Sequence, residues 1–81
     1  MLTDSIQDFI SKLTTEQLAQ TLTNLSWCIK EQLFRCPHAE FYLPETVMAR
    51  WFEDEVNNLL LDSQLDLLKK IADQIKTNRQ Q

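Results

Sequence analysis

No glycine occurs among these 81 residues. Glycine is the residue that takes φ > 0 without steric cost. Type I′ and II′ hairpin turns, phosphate-cradling loops and dinucleotide motifs depend on it. Its absence argues against tightly turned β-sheet and for helices joined by short polar or proline-marked breaks. It also removes most glycine-dependent catalytic motifs together.

The chain length suits one helical domain spanning residues 1–81. A chain this size buries little more than about 60% of its unfolded surface, so apolar cover is scarce. The apolar fraction of 43% and charged fraction of 25% are those of a globular protein. A formal net charge of -4 disfavours direct binding to nucleic acid and to anionic membranes. No stretch approaches the roughly 20 apolar residues that span a bilayer. Residues Met1-Leu2-Thr3-Asp4-Ser5 do not read as the start of a signal peptide. A cytoplasmic chain with reduced cysteines is therefore expected.

Periodicity predicts an all-α bundle of four helices. Leu2, Ile6, Phe9, Ile10 and Leu13 form a short first helix, capped by Thr3, Asp4 or Ser5 and ending near Lys12-Leu13. Thr14 and Gln17 have the spacing of a capping box. The second helix carries the stripe Leu18, Leu22, Leu25, Ile29 and Leu33, with Ala19 and Ser26 as small neighbours. It should end near Arg35-Cys36, because Pro37 disfavours helical geometry in the residue before it. Phe41, Tyr42 and Leu43 are apolar for a connection and should fold back onto the bundle.

Pro44 and Glu45 suit the first turn of a third helix. Val47, Met48, Trp51, Phe52, Val56, Leu59 and Leu60 would then cover an arc wider than one packing stripe. Such a helix is central in its bundle or buried in an oligomer, which favours a homodimer. Asp62 and Ser63 can end it, with Ser63 and Asp66 boxing the start of a fourth helix; one continuous helix is the alternative. The fourth stripe reads Leu65, Leu68, Ala72 and Ile75, with Leu67 and Ile71 at its edge. Asp62 and Asp66 lie early and Lys69, Lys70, Lys76 and Arg79 late, as the helix dipole favours. The tail from Thr77 to Gln81 should fray.

Cys28, Cys36 and His38 are the only soft-ligand candidates, but their spacing is not that of a zinc site. They read as ordinary thiols and a loop histidine, so no metal and no cofactor is expected. Glu53 and Asp54 read as a solvated face. Glu55 falls inside the apolar arc and must find a partner such as Arg50, Arg35 or Lys30, reach solvent, or hold its proton. No nucleophile, base and acid constellation is legible, and the expectation is a protein that is not an enzyme. The basic residues of the fourth helix read as dipole complements, and no helix-turn-helix recognition helix is basic enough to be one.

Trp27 and Phe34 lie seven residues apart and share a helix face displaced by well over about 100° from the leucine stripe. A second apolar face needs a second neighbour. Aromatic residues concentrate at protein interfaces and dominate their energetics. The expected function is a non-catalytic interaction module or small regulatory protein, docking on another protein or on itself. The candidate anchors are Trp27, Phe34, Phe41, Tyr42, Trp51 and Phe52. One alternative is an acidic nucleic-acid mimic that occupies a basic partner through Glu40, Glu45, Glu53, Asp54, Asp62 and Asp66. Another is a metal or redox protein built on Cys28, Cys36 and His38.

Overall fold

The computed structural model describes residues 2–80, leaving Met1 and Gln81 outside. Among the described residues there are four helices and no strand: α1 (Asp4–Ser11), α2 (Thr15–Leu33), α3 (Arg50–Asn58) and α4 (Leu61–Arg79). The first two start where side chains cap them. Thr3 accepts the Ile6 amide at 3.2 Å. Thr14 accepts the Gln17 amide at 3.1 Å while the Gln17 side chain accepts the Thr14 amide at 3.0 Å, closing the expected capping box.

The helices α2 and α4 form the main packed pair, and α1 lies against α4. A 2.6 Å hydrogen bond from Gln32 Nε2 to Gln64 Oε1 joins the end of α2 to the start of α4, so the two run antiparallel. The core is Ile6 and Ile10 from α1, Leu18, Leu25, Cys28 and Ile29 from α2, Phe41 and Leu43 from the connection, Phe52 and Val56 from α3, and Leu67 and Ile71 from α4. The molecule measures 40 × 25 × 21 Å.

The structure departs from the sequence pattern at several places. The second helix buries Thr21 and Cys28 alongside Leu18, Leu25 and Ile29, whereas Leu33 is 61% exposed. Its inward face is rotated towards Cys28, and α2 ends at Leu33, two residues before Arg35. The third helix begins at Arg50, not at Pro44. Residues 44–47 instead make a turn in which the Val47 amide donates to the Pro44 carbonyl at 2.9 Å. With Val47, Met48, Leu59 and Leu60 outside the helix, its wide apolar arc contracts to Phe52 and Val56, with Trp51 beside them. The third helix therefore presents no wide apolar arc for a second copy to cover.

The break between α3 and α4 falls at Leu59-Leu60, both extended, rather than at Asp62-Ser63. No side chain caps α4, so the Ser63–Asp66 box does not form. The cause is a buried polar clip. Gln64 donates to the Val56 carbonyl at 2.8 Å, which also accepts the Leu59 amide at 3.1 Å, and accepts from Gln32. Burying Gln64 turns α4 so that Leu67 and Ile71 lead the inward face, while Leu65 is 41% exposed. The helix also persists through Thr77–Arg79 instead of fraying, with Thr77 Oγ1 donating to the Asp73 carbonyl at 3.1 Å; Gln81 lies outside the described residues.

Candidate docking face

The second helix presents its aromatic pair to solvent. Trp27 is 59% and Phe34 70% exposed. Between them, Lys30 places its Nζ 4.0 Å from the centroid of the Trp27 ring, a cation–π contact that holds the indole against the helix surface. Phe34 is the C-cap residue of α2. Arg35 then turns into the left-handed region at φ 58°. Its amide donates to the Gln32 carbonyl at 3.0 Å and the Cys36 amide to the Glu31 carbonyl at 2.9 Å. This is a Schellman closure, made with arginine where glycine is usual. It fixes the end of the helix and with it the position of Phe34.

The returning connection borders this face. Asn24, one turn before Trp27, donates from Nδ2 to the Tyr42 carbonyl at 2.9 Å. Tyr42 is 62% exposed, and its hydroxyl donates to Glu40 Oε2 at 2.6 Å. That hydrogen bond to a carboxylate pushes the phenol's pKa up. The residues on either side of Tyr42 go the other way. Phe41 is fully buried and Leu43 nearly so, the alternation of an extended segment.

Side chains substitute for a pairing strand along this segment. Asn57 Oδ1 accepts the Phe41 amide at 2.8 Å and its Nδ2 donates to the Phe41 carbonyl at 3.0 Å. Glu53 Oε2 accepts the Leu43 amide at 2.8 Å. Glu53 is therefore a structural acceptor and not part of a solvated face, as the charge run alone implied.

Of the six candidate anchors, the fold brings Trp27, Phe34 and Tyr42 to one side of α2. Phe41 and Phe52 are sealed in the core and offer no surface, which removes them as docking residues. The connection is pulled inward by Asn57, and Phe52 stacks on Phe9 with centroids 4.4 Å apart. Trp51 is 43% exposed and lies elsewhere, edge-on to Phe9 at 5.4 Å. It floors a shallow groove of about 350 Å³ lined by Ser5, Asp8, Phe9, Lys12 and Glu55. Glu55 reaches solvent there. Lys12 is paired with Asp8 at 2.9 Å.

Cys28 sits in the core, where burial pushes its thiol pKa up against the smaller, opposing effect of a hydrogen bond from Gln32. Cys36 is exposed beyond the helix end, and His38 occupies a left-handed turn at φ 63°. Among the described residues, no group of three or more His, Cys, Asp or Glu side chains gathers to hold a metal ion. Two of the six carboxylates of the nucleic-acid-mimic reading are engaged within the chain, Glu40 by Tyr42 and Glu53 by Leu43. Lys69 and Lys70 share their depression with Asp66 and Asp73, so the basic patch is locally mixed in sign.

Periodicity did not single out Asn24, Gln32, Asn57 or Gln64. Each is polar, each acts through a contact distant in sequence, and nothing in a local pattern marks it. No family model matches the chain, and no curated protein or solved structure matches it. Among the described residues, no helix is long and apolar enough to cross a membrane.

Proposed function

We propose that this chain is a non-catalytic interaction module that docks through the Trp27–Phe34 face of α2, on another protein or on a second copy of itself. The observation that carries the reading is the exposure of both aromatics on a helix that is capped at its start, closed by a Schellman turn and committed to the core on its opposite side. Two large rings held in water on one face are surface that a partner can desolvate. Tyr42 borders them and Lys30 and Glu31 lie between them. The net charge of -4 steers partners electrostatically and repels anionic ones. The compartment that suits this reading is the cytoplasm, where the two free thiols stay reduced.

The test separates binding from folding. An aromatic anchor at the centre of an interface costs about 2 kcal/mol or more of binding when truncated. An exposed position away from special features changes stability by only about 0.5 kcal/mol. Trp27→Ala and Phe34→Ala should therefore abolish association, read as oligomeric state and captured partners, at nearly unchanged thermal stability. Unchanged association with a large loss of stability would refute the reading.

A further inference from the structure

We infer that the seam between α2 and α4, on the side of the pair away from α1 and α3, docks an acidic amphipathic helix of a partner protein. This surface is separate from the Trp27–Phe34 face and does not depend on it.

Both long helices keep a second apolar stripe beside the buried one. On α2, Leu22, Ser26, Ile29 and Leu33 are rotated by about 60° from the Leu18–Leu25 line. On α4, Leu65, Leu68, Ala72 and Ile75 are rotated by about 100° from the Leu67–Ile71 line, in the same sense. In an antiparallel pair, the same sense of rotation brings both stripes to one side. The Gln32–Gln64 bond sets the register, and equal rise places Leu33 near the level of Leu65 and Leu22 near that of Ile75. The rest of the fold packs elsewhere. Asn24, which holds the connection, lies about 170° round α2 from its stripe. Lys70, which shares a depression with Leu2 and Gln7, lies about 180° round α4 from the other. The seam is left uncovered: Leu33 and Leu65 are exposed, and Leu22, Leu68, Ala72 and Ile75 are half-buried.

Shape and charge select the occupant. From Leu22 to Leu33 the seam runs about 16 Å, three helical turns. Ser26 and Ala72 are small and keep its middle low, so a helix laid along it can approach closely. Lys30, Lys76 and Arg79 lie within about 70° of the stripe centres, one at one end of the seam and two at the other. Lys30, held over the Trp27 ring, marks the border with the aromatic face. The carboxylates of the two helices, Glu16, Glu31, Asp62, Asp66 and Asp73, lie about 100° or more from those centres. Among the described residues the only ion pair joins Lys12 to Asp8, so no carboxylate of the chain pairs with these cations. An acidic chain thus sets cations along its uncovered leucine seam. A helix with apolar residues at i, i+3, i+4 and i+7 and Asp or Glu beside them matches both features. A second copy on the same seam would bring cation against cation, and the net charge of -4 disfavours an anionic membrane.

The test uses a fluorescein-labelled helical peptide of about 15 residues, with leucines at that spacing and glutamates on both flanks, added to the intact chain. It should bind with a dissociation constant on the order of micromolar, weakening as salt is raised. The same peptide with lysine in place of glutamate should bind about tenfold more weakly or less. Amide shifts in the nuclear magnetic resonance spectrum should gather on Leu22–Leu33 and Leu65–Arg79. The double variants L33S/L65S and K76E/R79E should each raise the dissociation constant about tenfold or more. Trp27→Ala should leave it unchanged. Circular dichroism of each variant confirms that the helices persist.

No binding of the glutamate peptide, or equal binding of the lysine peptide, would overturn the acidic partner. Binding that is lost in Trp27→Ala and Phe34→Ala but not in L33S/L65S would overturn the seam and leave the aromatic face as the docking site. A dimer in sedimentation equilibrium that L33S/L65S dissociates would assign the seam to a second copy. Binding to phosphatidylserine vesicles without binding to the peptide would assign it to a membrane. Either result would overturn the proposal and leave the Trp27–Phe34 reading to its own test.

Discussion

Arg35 shows what a chain without glycine has to do at a helix end. The Schellman closure of α2 needs a left-handed residue, and Arg35 fills that place at φ 58°. An L-residue there costs about 1–2 kcal/mol, partly offset because glycine has more freedom to lose on folding. Arg35→Gly should accordingly raise stability by about 0.5–1 kcal/mol, seen as a higher urea midpoint at constant slope. Tyr42 offers a second reading at this scale, since it is the chain's only tyrosine. Its hydrogen bond to Glu40 favours the protonated phenol. Ultraviolet titration should show ionisation above the ordinary tyrosine value of 10.0, and Glu40→Gln should bring it back towards that value. An unchanged curve would mean the Tyr42–Glu40 contact is not held in solution. Cys28 supplies the pH dependence. Its folded pKa is raised above the ordinary 9.0, so the folded state holds the thiol proton more tightly than the unfolded chain does. That contribution is complete below the unfolded pKa and is lost as pH rises through the folded one. Stability should fall above about pH 9 more steeply in the wild type than in Cys28→Ala.

The elements are delimited as much by distant side chains as by local signals. The caps of α1 and α2 lie within three residues of the amides they satisfy, and the sequence announces both. The start of α3 is different. Proline and glutamate at 44–45 favour helix locally, yet the preceding segment is held extended by Asn57 and Glu53 while Phe41 and Leu43 enter the core. The helix therefore begins only at Arg50. Asn57→Ala removes both side-chain bonds to Phe41 and leaves the Phe41 amide without its acceptor. The cost should be about 1–3 kcal/mol, with a marked gain in hydrogen exchange at that amide. Gln64 plays the equivalent role at the α3–α4 break. Periodicity assigned the inward face of α4 to Leu65, Leu68, Ala72 and Ile75, because glutamine does not register as a core residue. Once Gln32 and Val56 satisfy its amide, Gln64 is buried and the face turns to Leu67 and Ile71.

At the scale of the whole molecule, the aromatic residues divide into two populations. Phe41 and Phe52 pack edge-on inside the core with centroids 6.1 Å apart, whereas Trp27 and Phe34 are mostly exposed. A phenylalanine truncated in a packed core costs about 3–5 kcal/mol. Phe52→Ala should therefore unfold at much lower urea concentration than Phe34→Ala, which should stay close to the wild type. Similar midpoints for the two variants would mean that the partition of aromatics between core and surface is wrong. Composition and period together determined that this chain is helical, how its first two helices start, and that α2 carries an aromatic pair off its leucine stripe. Those features reside in neighbouring residues and in the 3.6-residue repeat. Only the tertiary structure decided where α3 begins, where it parts from α4, which face of α4 turns inward, and that Phe41 and Phe52 are core. Each of those outcomes depends on a side chain meeting a backbone or a ring far along the chain. A local apolar pattern records which surfaces avoid water, but it does not record which other surface covers them.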